Sequence, residues 1–434
     1  MADGAGAART VSPKYDLSGR VISRTTRRQL WTLVGGGAVL FVLVAWLVVP
    51  WQPVPGGMPE PASASDVFTR AQIERGEDYA HWSRILSWIS LGVSLLVSCL
   101  LGFTRLGTRL LGRRTWPWPV TVVGLTGAVL LIGELVTLPF SLALRARRVD
   151  YGLTNQGLGA WLVDEAKGLG LGIVFTSIAL LILFGCVRRW RTWWPVIVSG
   201  VFVVLVMVGS FLYPVVVEPV FNDFESMPDS ALRQQILTLA DEEGVAVDDV
   251  LVADASRRTT TLNAYVSGFG GTRRVVVYDN LVEDQPEAQV LSVVAHELAH
   301  AKHDDVLTGT GLGALGTVLG IGLLGLIMSR PGVRRRAGVD GLADPRAVAV
   351  VLALMALATV ATSPVQNTIS RKIEMRADVD ALAVTPASAM VDLQKELCLK
   401  SVCDPTGPAW SQFWFGSHPT VLERVAVAEQ SDRD

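Results

Sequence analysis

Charge is scarce in this chain. Of its 434 residues only 18% are charged while 50% are hydrophobic, and a mean hydropathy of +0.40 excludes an ordinary soluble enzyme of this size. The net charge of -2 has no dominant sign, and no basic stretch is interleaved with aromatic residues, so nucleic acid is not an expected partner. There is no internal repeat, no heptad array and no phosphate-cradling loop: Gly268-Phe269-Gly270-Gly271 lacks the lysine and the helix such a loop needs. Cysteine is rare too. Cys99 and Cys186 fall in apolar runs and read as small core residues, while Cys398 and Cys403 can bridge in an oxidising compartment or stay free in a reducing one.

What the sequence does have is long apolar runs, seven of them, near 30–49, 85–103, 120–140, 169–187, 196–217, 306–328 and 347–363. These approach or exceed the roughly 20 residues a helix needs to cross about 30 Å of hydrocarbon. Tryptophans such as Trp46, Trp88, Trp116, Trp190 and Trp194 cluster near their ends, where amphipathic rings favour the membrane interface. The fold class expected is a mainly α, polytopic protein of the cell membrane. Its parts are a flexible tail over 1–29, five spans over 30–217, an extramembrane domain over 218–305, two more spans over 306–363, and a C-terminal region over 364–434. The segment before the sixth span mixes a helical period (230–243) with β-rich stretches near 250–253, 262–267 and 274–278, a small α/β domain. The last two spans must run antiparallel, which returns residues after 363 to the membrane face of residues before 306. In the sixth span, Gly309, Gly313, Gly316 and Gly320 have the spacing of a close helix contact.

Only five histidines occur, and three fall within His296-Glu297-Leu298-Ala299-His300-Ala301-Lys302-His303. Residues four apart share a helix face, so His296 and His300 can aim both imidazoles at one Zn²⁺ per chain, with Glu297 beside them as general base toward the attacking water. His303, a turn further along, is either a supporting residue or incidental. Catalytic zinc usually has three protein ligands. The third is expected at Glu374 in Arg371-Lys372-Ile373-Glu374-Met375-Arg376-Ala377-Asp378, and Asp378 can accept the free N–H of a ligand histidine. A plain salt-bridged helix face is the competing reading of that segment.

With these residues in place the chain resembles the type I CAAX prenyl proteases, integral-membrane zinc metallopeptidases. The resemblance rests on His296-Glu297-Leu298-Ala299-His300, on Asn367, Ser370, Arg371, Glu374, Ala377 and Asp378 at the motif's spacing, and on Ser417-His418-Pro419 followed by Arg424. It implies seven spans around a large water-filled chamber. It also implies an edge strand, with Asn263, Ala264 and Tyr265, that pairs with the substrate backbone, and His418 and Arg424 near the zinc as stabilisers of the oxyanion. The expected activity is peptide-bond hydrolysis of peptide or membrane-protein substrates, lipidated or not, in contact with the lipid bilayer. Alternatives are an HtpX-like quality-control protease, a site-2-type intramembrane protease and a zinc-stabilised scaffold without catalysis.

Loop charges bear on orientation. The N-terminal tail and the second, fourth and sixth loops hold most of the arginines, which by the positive-inside rule puts the N-terminus in the cytoplasm and the catalytic face outside. Arg145, Arg147 and Arg148 on the opposite side weaken that reading.

Overall fold

A computed structural model describes residues 23–110, 116–268 and 270–433; most of the expected tail, together with Arg113, Arg114 and Phe269, lies outside them. Five long helices come first: α1 (Arg24–Val48), α2 (Arg70–Phe103), α3 (Trp118–Asp150), α4 (Leu158–Arg189) and α5 (Trp194–Val216). Next are β1 (Phe224–Ser226), α6 (Ala231–Glu242), β2 (Asp249–Ala253), β3 (Ala264–Ser267), β4 (Arg274–Tyr278) and α7 (Glu287–Lys302). The chain then returns through α8 (Asp305–Met328) and α9 (Val348–Val384), and ends in α10 (Ala387–Ser401), α11 (Ala409–Phe415) and α12 (Val421–Ser431).

Seven of these helices are long and apolar enough to cross a membrane. Neighbour contacts close six of them into a ring, α2 to α3, α4, α5, α8, α9 and back to α2, with α1 packed on α8 and α5. The helices outrun the apolar runs. At about 1.5 Å per residue α2 and α9 are ~50 Å or more in length, beyond the ~30 Å of hydrocarbon, so their polar ends continue outside it. Helix α1 likewise begins at Arg24, inside the segment expected as tail, because Ser23 caps it by accepting the Thr26 N–H at 3.0 Å. Pro364 interrupts the backbone ladder of α9. The Ser363 hydroxyl lies 3.1 Å from the Val360 carbonyl that proline cannot satisfy, which lets the helix run on.

The glycines of α8 pack differently from expectation. A Cβ at Gly309, Gly313, Gly316 or Gly320 would meet nothing within 4 Å, whereas at Gly322 and Gly325 it would collide with Val34 and Leu30 of α1. Spacing marks one face of a helix but not what lies against it, and the close approach to α1 uses another face.

Between α5 and α7 a four-stranded sheet runs in the order β1-β2-β4-β3, parallel between β2 and β4 and antiparallel elsewhere. Its core joins sequence-distant parts: Ile236, Val250, Val275, Leu281, Val294 and Leu298 pack with Ala381, Met390, Leu393 and Ala428. Each buried Val, Leu, Ile or Met among them stabilises by about 1.5–3 kcal/mol, which holds the C-terminal region against the domain before α8. Cys398 and Cys403 are bridged.

Candidate metal centre

The helix α7 is nearly all buried on one side, through Val290, Val294, Leu298 and Ala299, which fixes its rotation about its own axis. His296 and His300 then project from the adjoining face toward α9. His296 Nε2 lies 3.2 Å from Glu374 Oε2 and 3.2 Å from His300 Nε2, and His300 Nε2 lies 3.7 Å from Glu374 Oε1. One donor atom from each of the three residues falls within 4.8 Å of the others. The long α9 carries Glu374 past the membrane to meet α7, as the antiparallel pairing of spans six and seven requires.

Each imidazole is held from behind. His296 Nδ1 is 2.9 Å from Asp378 Oδ1, one turn along α9 from Glu374. His300 Nδ1 is 3.0 Å from Asp305 Oδ2, a partner that sequence reading did not single out. Its only signal was an acid five residues after the second histidine. Arg376 binds the other oxygen of Asp305, and Arg424 grips Asp378, with Nε 2.7 Å from Oδ2 and Nη2 on Oδ1. Such buried carboxylate-to-imidazole bonds fix the tautomer that leaves both Nε2 atoms free to coordinate.

Electrostatics agree with a cation site. Burial alone would push His296 toward its neutral form, but bonds from Asp378 and Glu374 outweigh it and raise its pKa. At His300 burial is likewise overridden by Asp305 and Glu374. Burial raises the Glu297 carboxyl, opposed by His296 and His300. Two imidazoles and one carboxylate form an N/N/O set that suits a borderline divalent metal and leaves a fourth position for another ligand.

The remaining expected residues divide. His418 Nε2 comes within 3.5 Å of Glu374 Oε2, with its side chain 60% exposed beside the centre. The Arg424 guanidinium, expected to serve the oxyanion, lines the cavity beside Glu297 and is bonded in two places to Asp378. Its Nη2 also stands 3.5 Å from His296 Nδ1. His303 is not in the donor group: its Nε2 is 2.6 Å from Asp380 Oδ2 at the C-terminal cap of α7. A cavity of about 210 Å³ opens beside Glu297, lined among others by Asn263, Val293, His418 and, from α10, Met390 and Leu393. That α10 wall carried no recognisable signal in the sequence.

Strand β3 pairs only with β4 among the described residues, so no strand occupies its other edge. The Asn263 carbonyl accepts the Tyr278 N–H at 3.0 Å. By the alternation of an antiparallel ladder, Tyr265 and Ser267 also face β4, and Ala264 and Val266 present their N–H and C=O groups outward. Ala264 is buried as a whole residue, backbone included, whereas Val266 is half-buried, and the Tyr265 hydroxyl donates to Glu218 Oε2 at 3.2 Å.

Comparison with known proteins adds to this geometry. The family model for peptidase family M48 matches residues 226–432, and that for the CAAX prenyl protease N-terminal region, five membrane helices, matches residues 58–223. The uncharacterized metalloprotease YhfN of Bacillus subtilis is 26% identical over 313 residues, 71% of this chain and 74% of that protein. A CAAX prenyl protease 1 homolog of Oryza sativa is 28% identical over 312 residues, 70% of this chain and 72% of that protein. CAAX prenyl protease 1 of Saccharomyces cerevisiae is 26% identical over 327 residues, 70% and 71%. The crystal structure of S. mikatae Ste24p shares the fold, with a TM-score of 0.75 at 20% identity over 92% of this chain and 99% of that one. With both its membrane half and its metal-binding half matched in one continuous arrangement, the chain belongs to peptidase family M48, as a CAAX prenyl protease-like membrane metalloprotease.

Proposed function

We propose that the chain is a zinc metalloendopeptidase in which His296, His300 and Glu374 hold the ion and Glu297 is the general base. The observation that carries this reading is the convergence of those three donors from α7 and α9, with Glu297 on the wall of the same cavity as His418 and Asn263. Bound zinc supplies Lewis acidity, polarising the scissile carbonyl and acidifying water.

The protein's own residues do the rest. The free edge of β3 receives an extended substrate through the outward backbone groups of Val266, with Ala264 covered beside it, a mode of binding that tolerates many sequences. The Asn263 side chain, exposed above the cavity, steadies that peptide. Glu297 takes a proton from the attacking water as oxygen bonds to the carbonyl carbon, then gives one to the departing amine as the C–N bond breaks. His418 stabilises the charge that develops on the carbonyl oxygen. Asp378 and Asp305 keep the two imidazoles in register, and Arg424 acts through Asp378.

The test is cleavage of a panel of prenylated and unmodified peptides by the detergent-purified protein, with chelator and Glu297→Gln controls. Chelator-sensitive cleavage lost in Glu297→Gln is expected. Cleavage confined to prenylated peptides assigns a lipid requirement, and cleavage of both kinds assigns general membrane proteolysis. No cleavage by zinc-loaded protein would overturn the proposal.

A further inference from the structure

We infer that the metal centre lies on the non-cytoplasmic face of the membrane. Two unrelated observations at opposite ends of the bundle lead there.

The first is the charge of the end remote from the metal centre. Contacts show that its loops share one face: the Thr26 hydroxyl donates to the Thr192 carbonyl at 3.2 Å, Arg188 donates to the Ala343 carbonyl at 2.9 Å, and the Arg105 side chain covers Gly338. On this face Arg330, Arg335 and Arg336 surround an open cavity of about 600 Å³ with Phe103 and Val333. All three are exposed, and none has a carboxylate partner among the described residues. Unpaired arginines in short loops are retained on the cytoplasmic side during insertion, and they suit the anionic headgroups of that leaflet.

Near the metal centre two of the three opposing arginines have structural partners, while Arg148 is exposed. Arg145 donates to the Gln156 carbonyl at 2.5 Å and lies over the Trp161 ring. Arg147 donates to the Asp78 carbonyl at 2.9 Å and lies over Tyr79 and Tyr151. Packing between α2 and α3 gives these two residues a structural role, and the three arginines here are fewer than those of the N-terminal end and the second, fourth and sixth loops.

The second observation is the Cys398–Cys403 bridge, which closes the turn at the end of α10. That turn docks the C-terminal region on α2. A Cβ at Gly76 would sit 2.1 Å from the Cys403 carbonyl oxygen, Asp404 pairs with Arg84, and Thr406 bonds Glu77 at 2.9 Å. Forming the bridge transfers two electrons and two protons from the thiols to an oxidant, of the class of disulfide-bearing thiol oxidoreductases. Such bridges persist outside the cytoplasm and are rare within it.

Sulfur chemistry at one end and arginine distribution at the other therefore select the same orientation. It follows, resting on the peptidase reading, that the substrates are peptide segments of exported or membrane-anchored proteins presented outside the cytoplasm.

Sidedness can be read without cleavage, so its failure is distinguishable from failure of the peptidase reading. Intact cells carrying Asp241→Cys, on the exposed side of α6, or Gly332→Cys, on the arginine-rich face, are treated with a membrane-impermeant maleimide. Asp241→Cys is expected to label before lysis and Gly332→Cys only after it; the reverse pattern overturns the inference. In wild-type cells quenched with a permeant alkylating reagent, Cys398 and Cys403 are expected to resist modification until reduced. Alkylation of both thiols before reduction would equally overturn it.

Discussion

His300 Nδ1 sits 3.0 Å from Asp305 Oδ2, although the two residues belong to different helices. The turn between them is compact: His303 ends α7, Asp304 takes a left-handed conformation at φ 50°, and Asp305 opens the membrane helix α8. A carboxylate side chain tolerates that conformation better than most, and Asp304 is further held by Arg273 at 2.7 Å. The second Asp305 oxygen binds Arg376, two residues beyond Glu374 on α9. One aspartate thus ties together the metal helix and the two spans that flank the site.

Replacing Asp305 with alanine should therefore weaken metal retention while leaving the ligands in place. Loss of a carboxylate behind a ligand histidine typically lowers metal affinity by about 10–100-fold. Competition with a chromogenic chelator measures this directly. Unchanged affinity would mean that His300 needs no such support.

Arg424 tests a different contact. Its partner Asp378 is 2% exposed at the side chain, so Arg424→Ala leaves a buried carboxylate with only its bond to His296, a change that costs up to about 3–5 kcal/mol. Thermal unfolding in detergent should show a clear loss of stability, and Arg424→Ala with Asp378→Asn should recover part of it. Wild-type stability with impaired turnover would instead return Arg424 to a direct role at the oxyanion.

The free edge of β3 makes a prediction about substrate affinity. Val266→Pro removes an outward N–H without touching the ladder to β4, a position where proline is tolerated. KM should rise by about tenfold, the equivalent of one lost hydrogen bond of ~1.4 kcal/mol. An unchanged KM would mean that substrate does not pair with this strand.

His418→Ala should lower kcat by about 10²–10³-fold, as removal of an oxyanion donor does, with zinc content unaffected. Steady-state kinetics at equal metal loading checks it. A fall in metal content would show that His418 belongs with the ligands.

Much of this was legible in the sequence because its signals are strong and local. Seven apolar runs name the spans, and the four-residue spacing of His296 and His300 names a helix face. Glu374 could be reached only by combining its motif with the return of the chain across the membrane. What could not be read depends on three-dimensional partners. Asp305 looked like one more acid in a charged turn until the α7–α8 junction folded it back on His300. Gly322 and Gly325 lie on the opposite face of α8 from Gly309, Gly313, Gly316 and Gly320, and only the position of Leu30 and Val34 on α1 shows that theirs is the face in close contact. Arg424 matched a family pattern, but its bond to Asp378 depends on how α12 docks against α9.

The most direct test compares wild type and Glu297→Gln at equal zinc content in a peptide-cleavage assay. The two proteins should each hold one zinc ion per chain, with turnover in the variant reduced by at least about 10²-fold, the scale of general base catalysis. Wild-type turnover in Glu297→Gln would contradict the assignment of Glu297 as the base and, with it, the proposed chemistry of the site.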